Sequence, residues 1–260
     1  MPAPLPVTGK KRPSREAADE DGIVAAPGVS AAGGTESPSP SGEIGRLEHI
    51  VLSSTSWIHR FMLPRQIMSR LDFGELWRLR PKELGTVQIY GRHVSTPRYH
   101  RSYGHDYAFS GVVLAALPLP AALRPLVEWA NSLVQYGGAL NGVLVNWYES
   151  GEHYIGAHSD DEKQLVVGSP ILSVSLGATR KFRVRDRGPG KAVRHNIDLK
   201  HGTCLVMGGD MQKQFTHEVP KISGAKGRAV GRRINITMRA FADNAAVGGS
   251  AKKRRAAPAP

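Results

Sequence analysis

Residues 171–186 have the sequence ILSVSLGATRKFRVRD, in which two short β-rich runs follow each other with only a turn between them. Further runs of this kind occur at HNIDL (195–199), TCLVMG (203–208) and RINITMRAF (233–241), with Gly, Pro and Asp residues between them. Many short strands without intervening helices are typical of an antiparallel sandwich or barrel, because parallel strands need long crossover connections. The pattern predicts a jelly-roll-like β domain in the second half of the chain.

Two helices are predicted ahead of these strands. Residues 64–77 carry apolar side chains at helical spacing, and residues 120–136 begin with a proline, carry an apolar stripe and stop at two glycines. After Gly142 the pattern changes to a period of two, which is typical of a strand. We therefore expect an α+β fold in which N-terminal helices pack on a jelly-roll core.

Composition divides the chain into three segments. Residues 1–44 are rich in Pro, Gly, Ala and Ser and carry few large apolar groups, so they are predicted to be disordered. Residues 244–260 resemble them and end in the basic cluster KKRR at 252–255, which indicates either a nuclear-import signal, a phosphate contact or a solubilising tail. One folded domain is predicted between them, over residues 45–243.

The charge of the chain indicates a polyanionic partner. The formal net charge is +13, yet residues 1–44 carry four Lys/Arg against six Asp/Glu and KKRR carries four positive charges, which leaves +11 for residues 45–251. A basic folded domain favours nucleic acid as the partner over a merely solubilising surface. The single cysteine, Cys204, excludes an internal disulfide framework and fits a reducing compartment, and neither a secretory signal nor an apolar run long enough to cross a bilayer is visible.

A candidate metal site lies in NWYESGEHYIGAHSDDE, residues 146–162. His158 and Asp160, two positions apart on an extended segment, point to the same side, and His217 is the only histidine between the predicted strand TCLVMG and the last strand. Two imidazoles and one carboxylate on one face of an iron ion form the facial triad of non-haem Fe(II) oxygenases. A His-x-Asp pair alone also fits a surface turn, and the same ligands suit zinc.

The last predicted strand adds a candidate anion site. In RINITMR, residues 233–239, Ile234, Ile236 and Met238 fall on one face, and the opposite face carries only polar residues, Arg233, Asn235, Thr237 and Arg239. Such a face normally meets solvent. Inside a barrel it would instead form an anion pocket, because arginine binds carboxylates in a bidentate manner.

Taken together, these motifs resemble the AlkB family of Fe(II)/2-oxoglutarate-dependent dioxygenases, and most closely its eukaryotic DNA-repair homologues. The resemblance covers roughly residues 85–241. It depends on the order and spacing of Asn146-x-Tyr148, Gly151 to Gly156, HSDDE at 158–162, LSVSLGATRKF at 172–182, HGTCLVMGGDMQ at 201–212, His217 with Val219-Pro220-Lys221, and Arg233-x-Asn235-x-Thr237-x-Arg239. The fold that it implies is a double-stranded β-helix, the jelly roll.

The resemblance also implies roles for individual residues. The metal ligands would be His158, Asp160 and His217, with Asp160 and Arg239 as the catalytic pair beside the substrate mouth. The co-substrate 2-oxoglutarate would chelate the iron and leave one position for O₂. Arg233 would pair with its distal carboxylate, and the remaining co-substrate residues would be Asn146, Tyr148, Asn235, Thr237 and Arg239. The chain departs from common family residues at His153 and Phe215, which are not iron ligands but could alter lesion preference.

Residues 87–111 resemble the family's substrate-recognition region, with VQIYGRHVSTPR at 87–98 and YAFSG at 107–111. A flipped base needs an aromatic face and groups that read its edge, so Tyr107 and Phe109 are expected to sandwich the base, with Asp161 and Glu162 at its cationic or exocyclic edge. Tyr90 lies where duplex-active relatives carry an inserted aromatic residue, and Arg92 and Arg98 are expected to hold phosphates. Phe109 in the core and Tyr90 as an ordinary strand residue are the alternatives.

The resemblance implies oxidative dealkylation of N-alkylated bases such as 1-methyladenine and 3-methylcytosine in DNA, with release of formaldehyde and succinate. Fe(II), 2-oxoglutarate and O₂ would be required. The expected partner is alkylated DNA, or else RNA. The protein is expected to be a monomer that does not associate with membranes, and to act in the nucleus of a eukaryote or otherwise in the cytoplasm. The alternatives are the same chemistry on RNA or a protein side chain, a zinc hydrolase, and a non-catalytic nucleic-acid-binding module.

Overall fold

The computed structural model describes residues 44–89, 91–109, 112–133, 139–188 and 190–242. The segments predicted to be disordered, 1–44 and 244–260, lie outside these ranges except for Ile44. Within them the domain predicted over residues 45–243 consists of strands with a few short helices, as expected for the predicted α+β jelly roll. No helix in these ranges is both long enough and apolar enough to cross a membrane.

The strands are numbered along the chain. They are β1 (Glu48–Val51), β2 (Ser56–Met62), β3 (Thr86–Ile89), β4 (Arg92–Ser95), β5 (Tyr99–Tyr103), β6 (Tyr107–Phe109), β7 (Val112–Leu114), β8 (Gly142–Tyr148), β9 (Ile155–His158), β10 (Ile171–Gly177), β11 (Arg180–Asp186), β12 (Val193–Leu199), β13 (Thr203–Gly209), β14 (Phe215–Val219) and β15 (Arg233–Arg239). The helices are α1 (Arg65–Met68), α2 (Phe73–Arg78), α3 (Arg124–Ser132), α4 (Met211–Gln214) and α5 (Gly224–Arg228), with a 3-10 turn at Ala121–Leu123.

Two antiparallel sheets form the core of the domain. The larger sheet has the order β1-β2-β13-β10-β15-β8-β5 and the smaller sheet β12-β11-β14-β9, while β3-β4 and β6-β7 form separate two-stranded hairpins. Neighbours in each main sheet are mostly far apart in sequence, as in a jelly roll. The predicted strands β8, β10, β11, β12, β13 and β15 all occur, with ends within about three residues of the expected ones.

The helices cover one face of the larger sheet. Side chains of α1, α2 and α3 pack in one apolar cluster against alternate residues of β8 and β15, and this cluster includes Ile67, Leu126, Trp129, Val145, Trp147, Ile234 and Ile236. The indole of Trp147, which is fully buried, donates from Nε1 to the carbonyl of Leu76 at 2.9 Å and so ties β8 to α2. This packing is the predicted one. Two strands that were not predicted, β1 and β2, precede the helices.

The predicted helix over residues 64–77 is two helices. α1 ends at Met68, and Asp72 then begins the second helix, because its side chain accepts a hydrogen bond from the backbone N–H of Glu75 and caps α2. The predicted helix over 120–136 begins as a 3-10 turn and continues as α3 to Ser132; residues 134–138 lie outside the described ranges.

A second cluster lies between the two sheets, where Ile58, Tyr148, Leu205 and Met207 of the larger sheet face Phe182, Val184 and Val219 of the smaller one. The polar face of β15 points into this same space. Arg233 is 0% exposed, Thr237 7% and Arg239 3%, so this face is interior and not solvent-facing. Polar side chains on an inward face require partners, and these partners form the candidate site.

Candidate active site

Three side chains form the only metal-binding group of this kind in the described part of the chain. His158 ends β9, Asp160 follows two residues later, and His217 lies in β14 directly opposite His158 in the strand register. Their ligand atoms all lie within 4.8 Å of one another. Nε2 of His158 is 3.7 Å from Oδ1 of Asp160, and Nε2 of His217 is 3.9 Å from Oδ2. The three groups therefore converge on one point, as a shared metal ion requires.

The protonation states of the three groups favour a metal cation. Burial lowers the pKa of both imidazoles, that of His217 to about 3, so both are neutral near pH 7 and have a nitrogen lone pair available. Burial alone would raise the pKa of Asp160, but Arg239 and the two histidines hold it below its usual range. Two neutral imidazoles and one carboxylate are the donor set of Fe(II) oxygenases, and the residues fit that ion.

Neighbouring residues orient the ligands. Nδ1 of His158 lies 2.9 Å from the carbonyl of Gly156, which leaves Nε2 for the metal. The side chain of Gln212 accepts a hydrogen bond from the backbone N–H of Asp160 at 2.9 Å. Ser159 donates to the carbonyl of Phe215, and these bonds hold the segment after β9 against the smaller sheet. The sequence analysis did not assign a role to Gln212, although it lies in a motif quoted above.

Arg239 is the immediate neighbour of the metal group. Its Nη2 lies 2.9 Å from Oδ1 of Asp160, and its guanidinium carbon lies 5.0 Å from the centroid of the Tyr107 ring. Burial lowers the pKa of Arg239, but Asp160 outweighs this and raises it. The position expected for Arg239, beside Asp160 at the end of the polar face, is the position observed.

A cavity of about 800 Å³ extends from the metal group between the two sheets. That volume lies within the range of small-molecule sites. Its lining includes the three ligands and most of the residues expected to bind 2-oxoglutarate, namely Asn146, Tyr148, Asn235, Thr237 and Arg239. Ser173 of β10 also lines it and donates to Oδ1 of Asn235 at 3.1 Å.

Arg233 does not itself line this cavity. Its Nη2 donates to Ser175 at 3.0 Å and to Oδ1 of Asn235, which does line the cavity, at 2.8 Å. Its guanidinium carbon lies 4.8 Å from the centre of the Tyr148 ring. Nε and Nη1 are buried without a hydrogen-bond partner among the described residues. A fully buried guanidinium with two unsatisfied nitrogens fits an anion such as a carboxylate.

Arg98 contradicts one expectation. We expected it to hold a phosphate, but it is 8% exposed, lines the cavity and donates from Nε to Oδ1 of Asn146 at 2.7 Å. A phosphate of a polynucleotide backbone would need an exposed cation, so that expectation was wrong. Arg98 instead orients Asn146, a residue of the cavity lining that was expected to bind 2-oxoglutarate.

Comparisons with known proteins agree with this geometry. The family model of the 2OG-Fe(II) oxygenase superfamily matches residues 56–239, well over half of the chain. This chain is a 2OG-Fe(II) oxygenase of the AlkB family. Fe(II), 2-oxoglutarate and O₂ are therefore its cofactor and co-substrates.

This oxygenase is similar in sequence or structure to several known proteins. It is 37% identical over 166 residues to DNA oxidative demethylase ALKBH2 of Bos taurus, which covers 60% of this chain and 57% of the relative. It is 34% identical over 155 residues to alpha-ketoglutarate-dependent dioxygenase alkB homolog 3 of Rattus norvegicus, covering 55% and 50%. A solved structure, "The structure of OsALKBH1", matches with a TM-score of 0.46 and 18% identity over 75% of this chain and 100% of that one. The chain thus spans about half the length of these two curated relatives.

On the substrate side of this oxygenase, the structure describes four of the six predicted side chains. Tyr107 is 7% exposed and lines the cavity with Asp161 and Glu162. Burial raises the pKa of Glu162, as does Asp160, and one of its carboxylate oxygens, Oε2, has no hydrogen-bond partner among the described residues. Asp161 is exposed and pairs with Arg187 at 2.8 Å.

Of the other predicted substrate residues, only Arg92 has a described side chain. Arg92 begins β4 and is exposed, and it is not part of the cavity lining. Tyr90 lies outside the described residues, and so does the side chain of Phe109, whose backbone belongs to β6. Their predicted roles stay predictions.

Arg180 is a further buried residue near the site that was not predicted from the sequence. It lies in the quoted motif LSVSLGATRKF, is 2% exposed, and alternates along β11 with the inward-facing Phe182 and Val184. That alternation with two apolar residues was the available signal.

Proposed function

We propose that this protein oxidatively removes alkyl groups from N-alkylated bases in DNA, using Fe(II), 2-oxoglutarate and O₂, and releases formaldehyde and succinate. One observation carries the proposal, namely that a single cavity brings three features together. Its lining contains a metal triad and an aromatic and acidic wall, and buried arginines without carboxylate partners line or adjoin one end of it. Each of these three parts has a separate task.

The bound iron, with the keto acid and O₂, supplies the oxidising power for attack on an unactivated C–H bond. The residues of the chain bind and position the metal and the keto acid. His158, Asp160 and His217 would hold the metal. Asn146, Tyr148, Asn235 and Thr237 would orient the keto acid, with the charge of Arg233 directed at its distal carboxylate. Arg239 keeps Asp160 ionised and in place.

The opposite wall of the cavity suits a cationic base. Bases alkylated at N1 of adenine or N3 of cytosine carry a positive charge, and Glu162 offers a carboxylate oxygen without a hydrogen-bond partner in the described structure, at the cavity wall. The ring of Tyr107, with the guanidinium of Arg239 over it at 5.0 Å, lines the same cavity. A base extruded from a strand is held by such a combination of stacking and polar contacts. This wall supports a nucleobase as the substrate better than a protein side chain.

DNA is proposed as the nucleic acid for two reasons. The part of the chain that contains the fold is basic, as binding to phosphates requires. The ALKBH2 relatives are named DNA oxidative demethylases. We further propose that the protein acts as a monomer and, in a eukaryotic cell, in the nucleus, where the cluster KKRR would serve as an import signal.

A single assay tests the proposal. The protein is loaded anaerobically with Fe(II) and 2-oxoglutarate, and O₂ is then admitted with oligonucleotides that contain 1-methyladenine or 3-methylcytosine, as single-stranded DNA, duplex DNA or RNA. Succinate and formaldehyde are measured together with the repaired base, and Asp160→Ala serves as the blank. Equimolar formaldehyde and repaired base with DNA are expected. Repair of RNA alone would transfer the proposal to RNA, and binding of all strands without succinate would leave a non-catalytic module.

A further inference from the structure

Arg180 is a buried cation that the function proposed above does not use. It is 2% exposed, and its guanidinium donates four hydrogen bonds to backbone carbonyls. Nη1 donates to Ser150 at 3.2 Å and His153 at 3.0 Å, and Nη2 donates to Gly151 at 3.2 Å and Pro220 at 2.7 Å. These acceptors belong to the loop after β8 and to the segment after β14. Arg180 therefore joins the two sheets at one end of the cavity.

A second buried arginine lies next to it. The guanidinium carbons of Arg180 and Arg233 lie 5.8 Å and 4.8 Å from the centroid of the same ring, that of Tyr148. Burial lowers the pKa of Arg180 to about 10, and the charge of Arg233 contributes to this. Among the described residues no carboxylate forms an ion pair with either arginine. Two like charges thus share a water-poor site without an anion, which is unfavourable unless a ligand supplies one.

Arg180 is also close to the co-substrate cavity. Phe182, the next inward-facing residue of β11, lines the cavity, so Arg180 lies one inward position, about 7 Å along the strand, beyond its wall. From the opposite sheet, Tyr148 lines the cavity and contacts both arginines. The positive potential of the pair is therefore strongest at the part of the cavity lining nearest to it, which includes Tyr148 and Asn235.

We propose that Arg180 is a specificity-determining positioning residue, which makes the co-substrate pocket select a keto acid with a second, distal carboxylate. Arg180 does not touch the co-substrate. It holds the loop that borders Tyr148 and adds a second charge behind Arg233. The distal carboxylate of a dicarboxylate therefore compensates part of the positive charge of the pair, while a monocarboxylate leaves all of it uncompensated. The inference rests on the co-substrate part of the proposed function and is independent of the nucleic-acid substrate.

The test compares two keto acids by isothermal titration calorimetry on the full chain loaded with Mn(II). One probe is 2-oxoglutarate, and the other is 2-oxobutanoate, which keeps the chelating end but lacks the distal carboxylate. In Arg180→Met the Kd for 2-oxoglutarate is expected to rise about tenfold, while that for 2-oxobutanoate changes less than about twofold. Arg180→Lys, which keeps the charge but not the fork of donors, is expected to retain most of the wild-type selectivity.

Other outcomes overturn the proposal. Equal weakening of both probes would show that Arg180 only fixes the loop, and an unchanged Kd for 2-oxoglutarate would show no role in the pocket. If Arg180→Met does not fold, Arg180→Gln replaces it as the neutral variant. The proposal then requires that the selectivity for 2-oxoglutarate over 2-oxobutanoate is lost in Arg180→Gln and kept in Arg180→Lys. Because every readout is binding of a keto acid, a failure to dealkylate DNA leaves the result interpretable.

Discussion

Nη2 of Arg239 lies 2.9 Å from Oδ1 of Asp160, and the two side chains are 3% and 2% exposed. Removing one partner of a buried ion pair leaves the other charge uncompensated, which typically costs about 3–5 kcal/mol. Arg239→Met is therefore expected to lower the free energy of unfolding of the metal-free protein by about that amount. The measurement is urea denaturation with and without Mn(II), which should restore part of the loss because the metal neutralises Asp160.

A matched control is available at the rim of the cavity. Arg187 and Asp161 form an ion pair of 2.8 Å, but the side chains are 46% and 56% exposed. Arg187→Met is expected to change stability by less than about 1 kcal/mol. Equal losses in the two variants would contradict the view that burial sets the strength of the Arg239–Asp160 interaction.

The metal ligands give a second prediction. His158→Ala, Asp160→Ala and His217→Ala are each expected to abolish turnover, because each removes one of three donor groups whose ligand atoms lie within 4.8 Å of one another. Mn(II) titration followed by electron paramagnetic resonance should show loss of the tight site in each variant. His195→Ala, in β12 and not among the metal group, is the control and should bind Mn(II) normally. Full activity in Asp160→Ala, or in protein treated with EDTA, would exclude iron at this site.

The co-substrate arginine gives a third prediction. Arg233→Ala removes a charge-assisted contact of about 1.5–3 kcal/mol, so the KM for 2-oxoglutarate should rise roughly ten- to a hundredfold with a smaller change in kcat. The neighbouring Arg232 is exposed and stacks over Trp77 at 4.9 Å, outside the cavity lining. Arg232→Ala should leave that KM unchanged. If both variants raised it alike, the distal carboxylate would have to bind elsewhere.

Much of the fold could be predicted because local patterns encode it. The period of two along β15 placed Ile234, Ile236 and Met238 on one face, and the structure buries them under the helices while Arg233 and Arg239 lie buried on the opposite face. The strand β2 was missed because His59 and Arg60 interrupt its apolar residues. Its pairing with β13 joins residues more than 140 positions apart, which no local pattern reveals.

The candidate metal group could be predicted from the spacing of its residues, but the burial of Arg98 and Arg180 could not. Arginine is almost never fully buried unless it has a partner, so sequence reasoning assigns it to the surface. The partner of Arg98 is Asn146, 48 positions away, and those of Arg180 are backbone carbonyls 27 to 40 positions away. Such long-range partners become visible only when the two sheets are assembled.

The pH dependence of stability gives a fourth prediction, at His100. Burial, and then the charge of Arg98, lower the pKa of His100 from 6.5 to about 4. As the pH falls, His100 is therefore protonated near pH 6.5 in the unfolded chain but only near pH 4 in the folded protein. Protonation thus favours the unfolded state, and the stability that neutral His100 contributes above pH 6.5 is lost between pH 6.5 and pH 4.

His100→Gln removes this proton uptake. The variant is expected to be less stable than the wild type at pH 7.5, because His100 packs on Gly85 and lies 3.3 Å from Thr96. The difference in free energy of unfolding should narrow as the pH falls from 6.5 to 4, measured by urea denaturation in metal-free protein. A difference that stays constant with pH would show that His100 titrates normally.

The fifth prediction concerns entry into duplex DNA. The hairpin of β3 and β4 has Ile89 opposite Arg92 as its last pair, and Gly91 between them has a φ of +76°, a conformation that glycine adopts readily. Val87 and Val94 of this hairpin line the cavity, so the hairpin forms part of its wall. Unpairing and unstacking a base cost a few kcal/mol, and a side chain that fills the gap offsets part of this cost. If Tyr90, between Ile89 and Gly91 in sequence, has that role, Tyr90→Ala should reduce repair of methylated duplex far more than repair of single strands.

Arg92→Ala, which removes an exposed cation, should instead weaken binding of both substrates and flatten the salt dependence of binding. Rates on matched single-stranded and duplex oligonucleotides at several salt concentrations separate the two effects. An equal loss on both substrates for Tyr90→Ala would mean that the protein acts on bases already exposed.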